Sequence, residues 1–249
     1  MLVCESAETA RRLSAGVATR VGELDWADIG NALDAAGHAT VAGLLNSNEC
    51  DALTALYPND ALFRSRVVMS RHGFGSGEYK YFDYPLPDIV ATIRELAFER
   101  LVPIANRWHS LLRITRSFPA THAEYLKCCH ADGQRRATPL ILRYGPGDYN
   151  CLHQDLYGEH VFPIQLAVLL SDPHTDFQGG EFVLTEQRPR MQSRAHVITL
   201  NKGDGVFFAV NFRPVRGARR FYRVRVRHGV STIRLGNRHT LGIIFHDAR

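Results

Sequence analysis

The chain of 249 residues is long enough to bury a substantial core in one large domain, and its content of 45% hydrophobic and 22% charged residues is ordinary for a globular protein. Residues 1–20 contain no apolar signal-peptide core and no run approaches membrane-spanning length, so the composition argues against a membrane partner. Five cysteines, an odd number without a paired framework, argue against a disulfide-stabilised secreted domain and indicate reduced thiols in a cytoplasmic protein.

The N-terminal quarter predicts a helix, a strand and a second helix after a weakly helical start over residues 1–20. Residues 25–37 predict a helix that Asp25 caps and a glycine ends. Residues 38–44 predict a short strand. Residues 46–57 open with the spacing of a capping box, which predicts a further helix.

Residues 67–82 contain more charged and aromatic side chains than a connecting loop requires. Three glycines permit unusual backbone angles, so we expect a flexible loop. Cationic and aromatic side chains are interleaved along it: Arg71, His72, Tyr79, Lys80, Tyr81 and Phe82. This composition suits a nucleobase or another flat, anionic ligand. The alternative is a structural loop that packs its aromatic side chains beneath a barrel.

The next segments are predicted to be helical. Residues 85–115 place apolar side chains at helical spacing, and Pro103 is expected to break this helix into two. A further helix is expected over residues 122–129. We expect these helices to buttress one sheet, so that residues 1–135 form a mostly helical N-terminal support.

From residue 139 onward the pattern changes to short strands separated by glycine and proline turns. Eight strands are predicted, over residues 139–144, 149–155, 163–171, 181–185, 195–200, 205–210, 221–228 and 238–246. Such a series predicts a sandwich or barrel over residues 136–249. We interpret residues 1–249 as a single domain that is mainly β with N-terminal helices (α+β).

The second of these strands carries a candidate metal-binding motif. His153 and Asp155 are two residues apart, so in a strand they would present an imidazole and a carboxylate to one cavity. Another His-x-Asp sequence, formed by His130 and Asp132, follows a helix end. We interpret that histidine as a helix-terminal or loop residue.

A third ligand is needed, and His228 is the best candidate. In the alternating run 221–228 it lies on the apolar face. Two histidines and one carboxylate form the facial triad that leaves open positions on non-haem Fe(II). Ten residues later Arg238 shares a strand face with Thr240, and both suit a carboxylate. Together they fit 2-oxoglutarate; the alternatives are a cupin-like zinc or manganese site, or core histidines.

Three further polar residues are candidates near this site. Tyr144 and Tyr149 flank the turn before the metal-binding strand, and either phenol could donate to the cosubstrate or simply pack within its strand. Gln165 lies in an apolar strand, where an unpaired amide would be costly. We therefore expect its side chain to point into the cavity or to a bonded partner.

These motifs resemble the 2-oxoglutarate/Fe(II)-dependent dioxygenases of the double-stranded β-helix (jelly-roll) fold. More narrowly, nearly the whole chain resembles a bacterial subfamily of nucleic-acid oxygenases predicted to act oxidatively on damaged, alkylated DNA. Three runs carry this resemblance: residues 71–82, 143–158 and 227–247. It implies a jelly-roll core buttressed by helices, with the triad as iron ligands and catalytic centre.

The resemblance also implies the reaction. Fe(II), 2-oxoglutarate and O2, with ascorbate as an optional reductant, would hydroxylate a substrate C–H bond and release succinate and CO2. On an N-methyl group, hydroxylation would end in loss of formaldehyde. Since fold and cofactor do not fix the substrate, a protein side-chain (prolyl-type) or small-molecule hydroxylase is the alternative. A non-catalytic ligand-binding jelly roll is a third hypothesis.

The net charge of +5 is distributed unevenly. Residues 188–238 contain 13 lysines and arginines against one acidic residue, so this segment carries +12 and the remainder −7. A basic face favours nucleic acid as a partner, and a merely solvated surface is the alternative. The stretch 213–220 is predicted to guide a phosphate backbone toward the iron while the loop at residues 71–82 receives a base. The sequence leaves the oligomeric state open.

Overall fold

The structure is a computed structural model that describes residues 2–249, with side chains from residue 13 onward. The helices are α1 (Leu2–Glu23), α2 (Trp26–Ala36), α3 (Ser47–Leu56), α4 (Asp88–Leu111) and α5 (His122–Ala131). The strands of the first half are β1 (His38–Val41), β2 (Phe63–Val68), β3 (Gly75–Ser76) and β4 (Glu78–Phe82). Those of the second half are β5 (Leu140–Tyr144), β6 (Tyr149–His153), β7 (Ile164–Leu169), β8 (Phe177–Gly179), β9 (Phe182–Gln187), β10 (Arg194–Ile198), β11 (Gly205–Ala209), β12 (Phe212–Arg216), β13 (Phe221–Val230), β14 (Ile233–Gly236) and β15 (Arg238–Ile243).

The strands form two main antiparallel sheets. The larger, here called the major sheet, has the order β1-β11-β7-β15-β5-β4-β2. The minor sheet has the order β10-β9-β13-β6-β3, and β12 pairs with β13. All eight strands predicted after residue 139 are present, as β5, β6, β7, β9, β10, β11, β13 and β15. The architecture is the predicted jelly roll with N-terminal helices.

The alternation of β15 shows how the major sheet separates core from cavity. Leu241 and Ile243 belong to the same buried cluster as the apolar side chains of α4. Arg238, Thr240 and Gly242 alternate with them and line a cavity between the two sheets. The helices therefore cover one face of this sheet and leave the other for the site.

The structure confirms the predicted cap of α2 and the predicted capping box of α3. Asp25 accepts hydrogen bonds from the backbone N–H groups of Ala27 and Asp28, and Gly37 ends α2 with a φ of 76°. Asn46 and Glu49 form the predicted capping box of α3. The predicted weakly helical start over residues 1–20 is helical from Leu2 and forms most of α1, which is continuous to Glu23; Met1 lies outside the described residues.

The predicted loop at residues 67–82 is largely strand, because β2 and β4 extend the major sheet beyond β5. The misleading residue is Lys80, whose charge indicated an exposed or ligand-binding position. It is only 6% exposed, and its Nζ donates to Asp60 Oδ1 at 2.6 Å and to the Tyr57 carbonyl at 2.8 Å. Because these bonds satisfy the buried ammonium group, Lys80 is compatible with an inward position in β4, which its charge did not suggest.

The predicted break at Pro103 is also wrong, since α4 runs through it without interruption. The proline removes one backbone donor from the helix. However, the apolar residues before and after Pro103 are buried in the common core. Their packing keeps both halves of the helix in line, which a local rule does not anticipate. Across the described residues, no helix combines the length and apolar character needed to cross a membrane.

Candidate active site

The ends of β6 and β13 bring the three predicted metal ligands together. His153 and His228 are cross-strand partners with ring centroids 4.2 Å apart. Asp155 lies just beyond the end of β6 rather than within the strand. Its Oδ1 is 3.5 Å from His153 Nε2 and its Oδ2 is 3.3 Å from His228 Nε2. One ligand atom from each residue lies within 4.8 Å of the others, a spacing that can hold a metal ion.

The protonation states suit metal coordination. Burial alone would raise the pKa of Asp155, but the hydrogen bond from His228 and the charge of His153 hold it well below its usual value. Burial lowers the pKa of His228, and His153 lowers it further. An ionised carboxylate and a neutral imidazole are the forms that bind metals. His153 Nδ1 lies 2.8 Å from the Cys151 carbonyl, a contact that leaves Nε2 free to coordinate.

Arg238 is a buried cation that forms no ion pair with a carboxylate of the described side chains. It is 2% exposed, and its Nη1 donates to Thr240 Oγ1 at 2.6 Å. Its Nε has no hydrogen-bond partner within the described part of the chain. Glu181, the acidic side chain that acts on it electrostatically, pairs with Arg234 at 3.8 Å. Burial lowers the pKa of Arg238 to about 10, so it stays protonated at neutral pH and requires an anion.

A cavity of about 210 Å³, here called the central cavity, joins these two features. Its lining includes the triad, Arg238, Thr240 and Gln165. Tyr144 is fully buried beside the arginine, 5.8 Å from its guanidinium carbon to the ring centre, and is its cross-strand partner. The cavity thus contains a candidate metal site, formed by the His-Asp-His cluster, and a separate cationic site, formed by Arg238.

Residues 77–248 match the family described as "Oxygenase, catalysing oxidative methylation of damaged DNA". The chain belongs to this oxygenase family. Two uncharacterized proteins of Mycobacterium tuberculosis, from strains CDC 1551 / Oshkosh and ATCC 25618 / H37Rv, are 48% identical to the oxygenase over 167 residues. The matched region covers 67% of this chain and 72% of each relative.

The fold is similar to that of two solved enzymes. A Pseudomonas putida prolyl-4-hydroxylase has a TM-score of 0.55 at 16% identity, covering 90% of the oxygenase and 99% of that chain. The non-haem α-ketoglutarate-dependent epimerase SnoN from nogalamycin biosynthesis has a TM-score of 0.53 at 14% identity, covering 87% and 80%. At these identities the similarity concerns the fold alone.

Of the two predicted tyrosines, the oxygenase places only Tyr144 in the cavity. Tyr149 is 42% exposed, because β6 contains a bulge. His153 pairs with His228 and Asn150 with Val230, so three steps on β6 match two on β13. The extra residue reverses the alternation and puts Asn150 on the inward face, where its Nδ2 donates to the Tyr144 hydroxyl at 3.3 Å.

The sequence did contain a signal for this bulge. Gly229 directly follows the distal histidine inside a strand, where glycine often marks a bulge or a close backbone approach. A Cβ at Gly229 would lie 2.6 Å from the Asn150 carbonyl oxygen. Asn150 therefore replaces Tyr149 among the residues that line the site.

Tyr157 was missed by sequence reasoning. Its hydroxyl donates to Asp155 Oδ1 at 2.6 Å and accepts from the Tyr81 hydroxyl at 3.1 Å. These bonds orient the carboxylate of the metal triad. Tyr157 lies in the segment after β6, so neither strand alternation nor motif spacing identified it.

We expect Tyr157→Phe to weaken Fe(II) binding about tenfold, because outer-shell partners typically contribute 10- to 100-fold to metal affinity. The measurement is an anaerobic metal titration of both proteins. Tyr81→Phe is the matched control, since it removes a tyrosine hydroxyl from the same chain of bonds but leaves the contact with Asp155, and it should change the affinity less. Equal metal affinity in Tyr157→Phe and the parent would contradict the orienting role.

The second His-x-Asp sequence has a structural role, as interpreted from the sequence. His130 Nε2 lies 2.7 Å from Asp247 Oδ2, and Asp247 also accepts from Arg94 Nη2 at 2.8 Å. Arg94 and Asp247 are both buried. Asp132 contacts His160 instead. This network ties α4 and α5 to the last residues of the chain.

All three glycines of the loop between β2 and β4 have the unusual, positive φ angles that the sequence predicted, and two of them also allow close packing. A Cβ at Gly75 would lie 2.4 Å from the Tyr149 carbonyl oxygen, and one at Gly77 would lie 2.9 Å from the Tyr144 ring. The loop is thereby fixed over the cavity, which Phe74 helps to line. Phe74 is 47% exposed and stacks on His72 with ring centroids 5.3 Å apart.

The basic segment is divided among different tasks. Arg213 is buried and paired with Glu186 at 2.6 Å. The hairpin tip, residues 216–221, lies beside the C-terminal end of α4 and seven residues, or about 24 Å, along β13 from His228. A stacked single strand would therefore need about seven nucleotides to contact both the tip and the triad.

The arginines closest in sequence to the triad are the arginine strip, defined as Arg223, Arg225 and Arg227. They alternate with Val224, Val226 and His228, so they lie on the outer face of the minor sheet and are exposed. The Phe212 ring packs against two of them, with guanidinium carbons 5.7 and 5.9 Å from its centre. Exposed cations interleaved with an aromatic ring are typical of nucleic-acid-binding surfaces.

Proposed function

We propose that the protein is an Fe(II)- and 2-oxoglutarate-dependent dioxygenase that hydroxylates a C–H bond of an alkylated DNA base. The observation that carries the proposal is the pairing, in one cavity, of a His-Asp-His cluster with a buried arginine that lacks a carboxylate partner among the described side chains. A ligand that chelates the metal and presents a carboxylate at its other end satisfies both. 2-Oxoglutarate has this chemistry.

Each residue then has a defined task. His153, Asp155 and His228 would hold Fe(II), and Arg238 with Thr240 would bind the far carboxylate of 2-oxoglutarate. When bound, the iron supplies the activation of O2 that couples oxidation of 2-oxoglutarate to oxidation of the substrate. In the balanced reaction, a substrate C–H bond, O2 and 2-oxoglutarate give a C–OH group, succinate and CO2.

The remaining lining residues would keep this chemistry ordered. Tyr157 fixes the orientation of the Asp155 carboxylate. The buried Tyr144 and the apolar side chains around it would exclude water from the arginine and strengthen its pairing with a carboxylate. Ascorbate as a reductant and a cytoplasmic location are further parts of the proposal.

Three observations support nucleic acid as the substrate. The family to which the chain belongs is described as acting on damaged DNA. The exposed Phe74, stacked on His72 at the mouth of the cavity, offers a ring face to a flat group. The arginine strip supplies cations to a phosphate backbone. If the oxidised carbon is an N-methyl group, the hydroxylated product loses formaldehyde and the base is restored.

The decisive experiment measures 2-oxoglutarate consumption and succinate formation in the presence of a panel of candidate substrates for hydroxylation. The panel contains single-stranded DNA with N-methylated bases, the same DNA unmodified, proline-containing peptides and small metabolites. We expect stimulation and formaldehyde release with the methylated DNA. Stimulation by a peptide or metabolite alone would favour the side-chain or small-molecule hydroxylase and overturn the DNA proposal.

The arginine strip gives a separate prediction about binding. Replacing Arg223, Arg225 and Arg227 together by glutamine should flatten the dependence of log Kd on log salt by up to about three units, because each phosphate contact contributes about one. The measurement is fluorescence anisotropy with a short single strand of about six nucleotides, whose phosphates are spaced about 3.4 Å apart when stacked.

The control is a second triple variant, Arg216→Ala, Arg219→Ala and Arg220→Ala, at the hairpin tip. A short strand seated at the triad does not reach this tip, so its salt dependence should change by less than about one unit. If the tip variant flattens the slope and the strip variant does not, the backbone follows the route that the sequence suggested. An unchanged slope in both would make the basic segment a solvated surface.

A further inference from the structure

One polar side chain in the central cavity is used by neither the metal site nor the arginine end. Gln165 lies in the middle of the apolar run of β7, is 2% exposed and lines the cavity. Its Nε2 has no hydrogen-bond partner among the described residues. An amide buried without a partner is unfavourable for the folded protein, and a ligand that pairs with it would remove this cost.

The strand register places Gln165 at the metal end of the cavity. It is the cross-strand partner of Phe208 on β11, and the Phe208 ring centroid is 4.6 Å from that of His228. On the other side of β7, the next residue, Leu166, pairs with Ile243 of β15. Ile243 is five residues, or about 17 Å, along the strand from Arg238. Gln165 is therefore beside the reaction centre and distant from the arginine end.

A second glutamine in the same lining shows what a structural amide looks like. Gln154 Nε2 donates to the Val226 carbonyl at 2.7 Å and to Asn211 Oδ1 at 2.8 Å. Those bonds join the loop after β6 to β13. Gln165 makes no comparable bond within the described chain, although both side chains line the cavity.

We propose that Gln165 is a specificity-determining residue that binds the primary substrate through its carboxamide. The inference rests on the proposed function and deepens it. A carboxamide presents two N–H donors and a carbonyl acceptor in one plane, and it pairs with a neutral, planar edge that offers a complementary acceptor and donor. A nucleobase has such an edge, and glutamine reads one in this way elsewhere. Being uncharged, the amide is a poorer partner than Arg238 for a carboxylate of 2-oxoglutarate.

The test uses two variants of this residue. Gln165→Met removes the amide at nearly constant length, and Gln165→Asn keeps the amide but withdraws it by one methylene. The probe is a single-stranded oligodeoxynucleotide that carries one N-methylated base. We expect both variants to lower kcat/KM for this probe at least about tenfold, because a site built around a hydrogen bond discriminates strongly against its loss. The Kd for 2-oxoglutarate, measured by calorimetry with Mn(II) in place of iron, should change less than about threefold.

Thermal unfolding supplies a readout that is independent of activity. Since the Gln165 amide has no hydrogen bond to any described residue, the Tm of ligand-free Gln165→Met should equal or exceed that of the parent. Gln154→Met is the matched control, and its Tm should fall because its amide bonds are broken. A lower Tm in Gln165→Met, with full recovery in Gln165→Asn, would assign the amide a structural role and overturn the proposal.

The remaining outcomes separate this proposal from the proposed function. Unchanged kcat/KM in both variants, with an active parent, would overturn the role of Gln165 and leave the DNA oxygenase intact. A large loss of 2-oxoglutarate affinity would assign the amide to the cosubstrate and overturn it as well. A parent that binds 2-oxoglutarate but neither binds nor oxidises the oligonucleotide would overturn the proposed substrate, and base recognition with it.

Discussion

Replacing Asp155 by alanine is expected to abolish 2-oxoglutarate turnover while leaving the jelly roll folded. The carboxylate faces the Nε2 atoms of both histidines, at 3.5 and 3.3 Å, and it is the anionic member of the cluster. Its removal leaves two neutral ligands for Fe(II). Since losing an outer-shell partner already lowers metal affinity or activity 10- to 100-fold, losing the ligand itself should lower turnover by more than about a hundredfold. The measurements are metal content after anaerobic loading and succinate formation.

A matched control exists in the second His-x-Asp sequence. Asp132 is an exposed aspartate two residues after a histidine, but it contacts His160 outside the cavity. Asp132→Ala should therefore keep metal binding and turnover. Circular dichroism should show that Asp155→Ala retains the secondary structure of the parent. Turnover at the parent's rate in Asp155→Ala would remove the proposed metal site.

Replacing Arg238 by alanine is expected to raise the KM for 2-oxoglutarate by about 30- to 5,000-fold. This range corresponds to the 2–5 kcal/mol typical of a buried, hydrogen-bonded charge pair that loses one partner. The guanidinium is 2% exposed and already bonded to Thr240, so it is positioned before the ligand arrives. The loss should appear mainly in KM, with kcat recovered in part at saturating cosubstrate.

Arg234→Ala is the matched control, because Arg234 is an exposed arginine four residues earlier that pairs with Glu181. Its KM should stay near that of the parent. Thermal unfolding gives a second comparison: ligand-free Arg238→Ala should be at least as stable as the parent, since an uncompensated buried cation has been removed. An unchanged KM in Arg238→Ala would mean that another residue binds the carboxylate.

The chemistry of the site was accessible from the sequence because it follows strand alternation. Alternation put His228 and Arg238 on inward faces, and the structure brings both into one cavity with His153 and Asp155. The same rule failed at Tyr149, where a single extra residue in β6 reversed the faces. Tyr157 was not predicted as a site residue for a different reason: it lies between β6 and β7, outside any strand, where alternation does not apply.

The fold was predicted well where patterns are local and less well where tertiary contacts compensate an unfavourable residue. The capping box at Asn46 and the strands after residue 139 depend on neighbours in sequence. Lys80 in β4 and Pro103 in α4 are tolerated only because distant partners or packing offset them. The position of the hairpin tip, far from the triad, depends on the length and direction of β13 and was not evident from charge alone.

The alternation of exposed arginines and buried residues along β13 constrains how this strand can change over evolutionary time. Arg227 and His228 are neighbours in sequence, yet one belongs to the outer surface and the other to the reaction centre. If the arginine strip binds a nucleic-acid backbone as proposed, point substitutions at the outward positions would change that affinity without disturbing the metal site. Deletion of one codon within residues 221–227 would change the phase between the arginines and the histidine, so that either the arginines before the deletion turned inward or His228 turned toward solvent. The outward side chains of β13 can therefore change by substitution, whereas the number of residues in this strand is constrained.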